Sequence, residues 1–200
     1  MALAIVNCYR AGMGVASSRE RAIETAAILF QEQGYAATGV AAVIEASGTP
    51  KGSFYFNFPG GKEELGVRAL GLAGARLARG IELLSEAAST PGEFVSSLNA
   101  ALALGLETSD FTRGCPIATV ALETAGSSQA LRDAAAEQFR SWEDGIARGI
   151  SAGAAPGAGD RRRAAAILML IEGALIMCRV GRTTEPLRQL DGTFALLLGA

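Results

Sequence analysis

SGTPKGSFYFNF, residues 47–58, decides how the rest of the chain is read. Ser47-Gly48-Thr49 is a tight corner, and Thr49 followed by Pro50 supplies an N-cap and a first helical residue, so a short helix begins there. On its N-terminal side Val40, Val43 and Ile44 fall at i, i+3 and i+4, which predicts a helix over 38–46 that stops at the Ser-Gly corner. The pattern is helix, three-residue turn, helix. The second helix carries Lys51, Gly52, Ser53, Tyr55, Phe56 and Asn57 close together, a set poorly suited to core packing, while Phe54 and Phe58 point inward. A helix that enters the DNA major groove needs these features: a positive N-terminus for phosphate, a glycine for close approach, and short hydroxyls for base edges or phosphate. The same residues also suit a short surface helix of an all-helical protein, and this stretch alone leaves both readings open.

Upstream, Ser17 and Glu20 have capping-box spacing, and Gly34 stands where a C′ glycine would end the helix they start. Ile23, Ala26, Ala27 and Phe30 form its inner stripe. Thr38 falls at the start of the following helix, where its hydroxyl can cap the helix or bond a phosphate. Tyr35 reads either as a core or hinge aromatic or as a phosphate contact.

The order and spacing of residues 21–30, Gly34-Tyr35, Thr38 and GTPKGSFYFNFPGGKEEL resemble the DNA-binding domain of the TetR/AcrR transcriptional repressors, over roughly residues 17–70. The doubled glycine before Lys62 and RGCPIATVALE at 113–123 look like the LmrA-like branch of that family. The resemblance implies that Thr38, Lys51, Gly52, Ser53, Tyr55, Phe56 and Asn57 face double-stranded operator DNA, with Lys62 clamping the backbone from the start of the fourth helix. Lys51 is the candidate for a guanine O6/N7 edge and Phe56 for a thymine methyl. The sequence departs from the broad family at Asn57 (usually histidine), Pro50 (usually a hydroxyl cap), Thr49 (usually apolar) and Ile44 (usually small). These departures leave the assignment standing but not a base-by-base reading.

The composition narrows the function classes. Half of the residues are hydrophobic and only six are proline, enough for a substantial core with helix as its default. A net charge of −2 carries no whole-chain basic signature. Across 17–76, Arg19, Arg21, Lys51, Lys62, Arg68 and Arg76 balance Glu20, Glu24, Glu32, Glu45, Glu63 and Glu64. Helix N-termini and backbone N–H groups must then supply many phosphate contacts, and the salt slope should be no steeper than about −6 per dimer. The three cysteines, Cys8, Cys115 and Cys178, are far apart and in no metal-binding spacing, which fits a reducing cytoplasm. With no histidine, Ser-His-Asp and Cys-His nucleophile systems and the common His-containing metal sites are excluded. No phosphate-loop motif is present, and an enzyme would need carboxylates, Lys or Tyr instead; with the helix-turn-helix match, no enzyme activity, cofactor or metal is expected.

Residues 1–16 make a poor secretion signal and read as a flexible arm or an over-long start, with Met13 as an alternative initiator. Beyond the corner, a long helix over 62–88 carries the stripe Val67, Leu70, Gly74, Leu77, Ile81 and Leu84, and its glycines Gly71, Gly74 and Gly80 can ease movement. Another runs over 92–107 with Phe94, Leu98, Ala101 and Leu102 inward. Cys115-Pro116 opens a further helix, Cys115 being either a thiol sensor or a buried small residue. A longer helix follows over 129–152, with Trp142 in a pocket wall or the core. Arg161-Arg162-Arg163 begins the next element as a solvated start. The apolar run over 164–178 is too short to span a bilayer, which needs about 20 residues, and must be buried in protein. Leu187, Leu190, Phe194 and Leu197 stripe the last helix.

The expected protein is all-α, with an arm over 1–16, a three-helix helix-turn-helix DNA-binding domain over 17–66, and a larger helical ligand-binding and dimerisation domain over 67–200. Two apolar helices at the chain end suggest a symmetric four-helix interface between two copies, as the resemblance also implies. Apolar lining from the fifth to eighth helices suggests a small, mostly apolar effector, for which Leu102, Phe111, Trp142 and Met177 are candidate contacts by position, with Glu172 as a polar anchor or a satisfied buried acid. The expected partners are operator DNA, the effector and a second copy, with no membrane.

Overall fold

The computed structural model describes residues 17–151 and 153–199; the arm expected over 1–16, Cys8 and the choice of initiator lie outside them. Nine helices and no strand are found among the described residues. They are α1 Ser18–Gln33, α2 Val40–Ser47, α3 Lys51–Asn57, α4 Gly61–Ala87, α5 Pro91–Thr108, α6 Pro116–Thr124, α7 Gln129–Ile150, α8 Ala158–Gly181 and α9 Glu185–Leu198. The helices fall into two compact units, one of 17–75 with 115–139 and the other of 76–114 with 140–199.

In the first unit α1 starts at the capping box its sequence encodes. The Ser17 hydroxyl accepts from the Glu20 N–H at 3.2 Å, and the Glu20 carboxylate accepts from the Ser17 N–H at 2.8 Å. Those bonds hold the Glu20 carboxyl below its ordinary range. The helix ends at Gly34, at φ +88°. Its buried stripe is Ala22, Ala26 and Phe30, with Ile23 and Ala27 only half-buried. The face is rotated from the expected one because α1 packs against α2 and α3 and also against α6. The small residues of α4 admit α7. A Cβ at Gly66 would lie 2.9 Å from Leu131 Cδ2, and one at Gly74 would lie 2.1 Å from Gln138 Oε1. Gly74 thus marks a close helix crossing, as its place in the stripe predicts.

In the second unit α5 is capped by Thr90, whose hydroxyl accepts from the Glu93 N–H at 3.1 Å, with Pro91 in the first turn. Phe94, Val95, Leu98, Trp142, Ile146, Ile167, Ile171, Leu187 and Phe194 form its core. Asn99 ties α5 to α9, donating to the Leu187 carbonyl at 3.0 Å and to Asp191 at 3.1 Å. Arg161 pairs with Asp144 at 2.9 Å and Arg163 with Asp160 at 3.2 Å, so the arginine run is a solvated helix start.

The apolar run of α8 departs from expectation. Ala164, Ile167, Ile171, Ala174, Leu175 and Cys178 face inward, but Met169, Ile176, Met177 and Val180 face out, Val180 with 84% of its surface exposed. Only 33% of the most apolar stretch of α8 is buried within the chain. A single chain of this architecture can cover one side of a helix that is apolar all round, and the other side is left for something else. By length and composition alone α8 is also the one helix among the described residues that could cross a membrane.

Candidate nucleic-acid interface

The corner between α2 and α3 is held by side chains that reach back to α1. Gly48 takes the left-handed conformation, φ +62°, that closes α2. Arg21 Nε donates to the Ser47 carbonyl at 3.2 Å. The Ser47 hydroxyl donates to Thr49 Oγ1 at 2.9 Å, and the Thr49 hydroxyl donates to the Ser18 carbonyl at 2.9 Å. This last bond corrects the expected cap. Thr49 is buried and spent on α1, Pro50 is the N-cap with no side-chain cap bond, and Lys51 is the first helical residue. Fixing the corner to α1 took precedence over satisfying one α3 amide.

Anchoring divides α3 into two faces. Phe54 and Phe58 are fully buried as expected, with ring centroids 5.1 Å apart. Lys51, Gly52, Tyr55 and Phe56 are exposed, Phe56 at 86%. An aromatic ring left so bare at the centre of a short helix is out of place on a surface meant only for water. A Cβ at Gly52 would meet nothing within 4 Å, so the backbone there is open to close approach. Ser53 and Asn57 lie between the faces and are partly committed to holding α3. The Ser53 and Ser18 hydroxyls share a hydrogen bond at 2.9 Å, and Asn57 Nδ2 donates to the Ser53 carbonyl at 2.8 Å.

Two other expected contacts are placed by the turn between α1 and α2. Thr38 is buried, and its hydroxyl donates to the Gly34 carbonyl at 2.8 Å. The N-cap of α2 is Gly39, which has no side chain to give, so Thr38 closes the preceding turn instead of capping α2. Lys62, in the first turn of α4, lies 4.3 Å from the centre of the Tyr35 ring, and its Nζ donates to the Ala36 carbonyl at 3.5 Å. Burial pushes the Lys62 ammonium below the usual lysine range, opposed by the charge of Glu123. Burial, and then the charge of Glu63, push the Tyr35 phenol up.

Glu123, near the end of α6, belongs to this site and was absent from the residues expected there. Its Oε2 accepts from the Ala36 N–H at 2.6 Å. The only sequence signal for it was its place at the end of RGCPIATVALE, since no local spacing connects it to a turn 87 residues away.

The expected effector contacts lie in the second unit. Trp142 is fully buried, while Leu102, Phe111 and Glu172 are half-buried. Met177 is 63% exposed on the outward face of α8, so it lines no interior of the single chain. Among the described residues no group of three His, Cys, Asp or Glu side chains could hold a metal ion.

Comparison with known proteins gives matches over both halves. Residues 22–69 match the model of bacterial regulatory proteins of the tetR family, and residues 91–192 match that of the LmrA/YxaF-like C-terminal domain of transcriptional regulators. The HTH-type transcriptional regulator LmrA of Bacillus subtilis strain 168 is 28% identical, the match covering 93% of this chain and 99% of LmrA. YxaF of the same strain, an uncharacterized HTH-type regulator, is 33% identical over 85% of this chain and 89% of its own length. The fold matches the crystal structure of regulatory protein TetR from Rhodobacter sphaeroides with a TM-score of 0.80 at 21% identity, covering 91% of this chain and 99% of that one.

Proposed function

The chain belongs to the TetR family of DNA-binding transcriptional regulators, in the branch with an LmrA/YxaF-like C-terminal domain, and from that premise we propose that it is a repressor which binds a pseudo-palindromic operator as a homodimer and is released by a small, mostly apolar effector. The observation that carries this reading is the outward face of α3, where Lys51, Gly52, Tyr55 and Phe56 stand together on a helix anchored by two buried phenylalanines. Lys51 donates to the O6 and N7 acceptors of a guanine, Phe56 meets a thymine methyl, and Gly52 lets the backbone come close. Tyr55 and Asn57 flank these contacts. Lys62, steadied over Tyr35, serves a phosphate, and Ser53 and Thr38 hold the elements that present the face.

The aliphatic face of α8 supports dimerisation through α8 and α9. Met169, Gly173, Ile176 and Val180 follow one another at helical spacing and are all exposed, with the small Gly173 where a partner helix can approach. This reading gives the apolar face a protein partner in place of a bilayer and keeps the protein cytoplasmic. Two-fold symmetry then sets half-sites about one helical turn, or roughly 34 Å, apart. The effector is bound by the unit of 76–114 and 140–199, beside Trp142, Leu102, Phe111 and Glu172. Release requires the effector to prefer a conformer that misplaces the two α3 helices, because equal affinity for both conformers would shift nothing.

The test is binding of the purified protein to the DNA flanking its own gene, and to a pool of random duplexes, beside Lys51→Ala and Tyr55→Ala. The wild type should select one two-fold motif. Each variant should remain a folded dimer and lose at least about tenfold in affinity, since a good base contact is worth about 1–3 kcal/mol. A folded wild-type dimer that selects no motif would sink the reading.

A further inference from the structure

The Ala36 peptide, in the exposed turn between α1 and α2, is gripped at both ends. Its N–H donates to Glu123 Oε2 at 2.6 Å, and its carbonyl accepts from Lys62 Nζ at 3.5 Å. Water could serve an exposed turn amide at little cost, so desolvation does not call for a carboxylate there. What the carboxylate adds is position. The turn has also made room for it: a Cβ on Gly34 would stand 2.1 Å from Glu123 Oε1, and Gly34 holds φ +88°. Nearby, Ser128, at the start of α7, donates to Glu63 Oε1 at 2.5 Å and tethers the α6–α7 corner to the first turn of α4.

The loop that precedes α6 in the chain is ordered within its own unit. The chain reaches Cys115 from residues 110–114 of the second unit, where Asp110 and Phe111 are both left-handed, at φ +50° and +57°. That loop is held by α8. Arg179 donates to the Phe111 carbonyl at 3.4 Å and to the Thr112 carbonyl at 2.9 Å, and Arg182 pairs with Asp110 at 2.5 Å. A nine-residue helix, α6, thus ends with a carboxylate on the helix-turn-helix of its own unit.

We propose that Glu123 is a positioning residue for operator binding, the point at which α6 fixes the turn between α1 and α2 and so the angle at which α3 is presented. This rests on the operator reading above. A conformational change that withdraws α6 frees the Ala36 peptide, and Lys62 and Tyr35 lose their common frame with it.

Charge and reach make opposite predictions, which makes the proposal testable. A carboxylate near DNA repels phosphate, so if Glu123 were only a surface anion, Glu123→Gln and Glu123→Ala would both tighten binding and Glu123→Asp would change nothing. For a positioning residue, Gln keeps an acceptor at the same reach and should bind the operator at least as tightly as the wild type. Ala and Asp should bind at least about tenfold more weakly, although Ala removes a repulsive charge and Asp keeps the charge unchanged. The probe is the duplex that the wild type selects from random DNA, with folding and dimerisation checked for each variant. Asp preserves the charge and so holds the test should Ala fail to fold. Exchange of the Ala36 amide, followed by NMR without DNA, should quicken in Ala and Asp and stay slow in Gln. Asp equal to the wild type, or Gln as weak as Ala, would overturn the proposal. A wild type that selects no duplex would overturn the operator reading itself, and this proposal with it.

Discussion

Both units leave large apolar side chains in solvent, and they do so in different company. On α3, Tyr55 and Phe56 are exposed within a few residues of Lys51 and Gly52, on a seven-residue helix whose other face is pinned by Phe54, Phe58 and the Ser53–Ser18 bond. On α8, Met169, Ile176, Met177 and Val180 are exposed along a helix of 24 residues, and the acid among them, Glu172, is half-buried. The mixed patch matches a groove that offers methyl groups, acceptors and phosphates within a few ångström. The aliphatic patch suits a surface like itself, as in the proposed dimer. Where apolar groups are left bare, the chemistry beside them identifies the partner better than their area does.

The largest expected effect breaks the aliphatic side of that contrast. Ile176→Glu would bury a carboxylate against its symmetry mate in the proposed dimer. The dimer dissociation constant should rise by at least about a hundredfold, or roughly 3 kcal/mol. Sedimentation should show monomers at concentrations where the wild type is dimeric, with operator affinity falling in step. A variant that stays dimeric would place the interface elsewhere and leave the exposed face of α8 without an explanation.

A smaller effect is expected in the turn that supports the mixed patch. Gly34→Ala forces a side chain into a backbone conformation that favours glycine and displaces Glu123 from the Ala36 amide. The cost should be about 1–3 kcal/mol of stability, read from the denaturation midpoint. If Gly34→Ala left stability unchanged, the turn would have another conformation to offer and its grip by α6 would matter little.

The contrast between the patches also separates what was legible in the sequence from what was not. Helix-forming rules are local, so the Ser17–Glu20 box, Gly34, the Gly48 corner, Pro91 and Cys115-Pro116 all mark real helix ends. Phe54 and Phe58 are buried, as expected. The misreadings arose where a distant partner outbid a local one. Thr49 looked like a cap and went to the Ser18 carbonyl, 31 residues back; Thr38 looked like another and closed the Gly34 turn. Glu123 had no local pattern that could reveal its seat. The apolar run of α8 reads the same whether the chain or a second copy covers it, and only the packing of its neighbours shows which residues remain outside.

The smallest effect sharpens the mixed patch, because there stability and function should move in opposite directions. Gly52 is helical, exposed and free of neighbours within 4 Å of an added Cβ. Judged by folding alone, alanine is the better residue at this position, and Gly52→Ala should raise stability by about 0.5–1 kcal/mol. If the open backbone exists for DNA, the same methyl should weaken operator binding severalfold, because it occupies the approach and the glycine's entropic cost is tolerated for that approach. Thermal unfolding and operator titration on one preparation decide it. A variant that gains stability and keeps full affinity would show that nothing comes close to α3 at Gly52, and would shift the contact surface toward Tyr55 and Phe56.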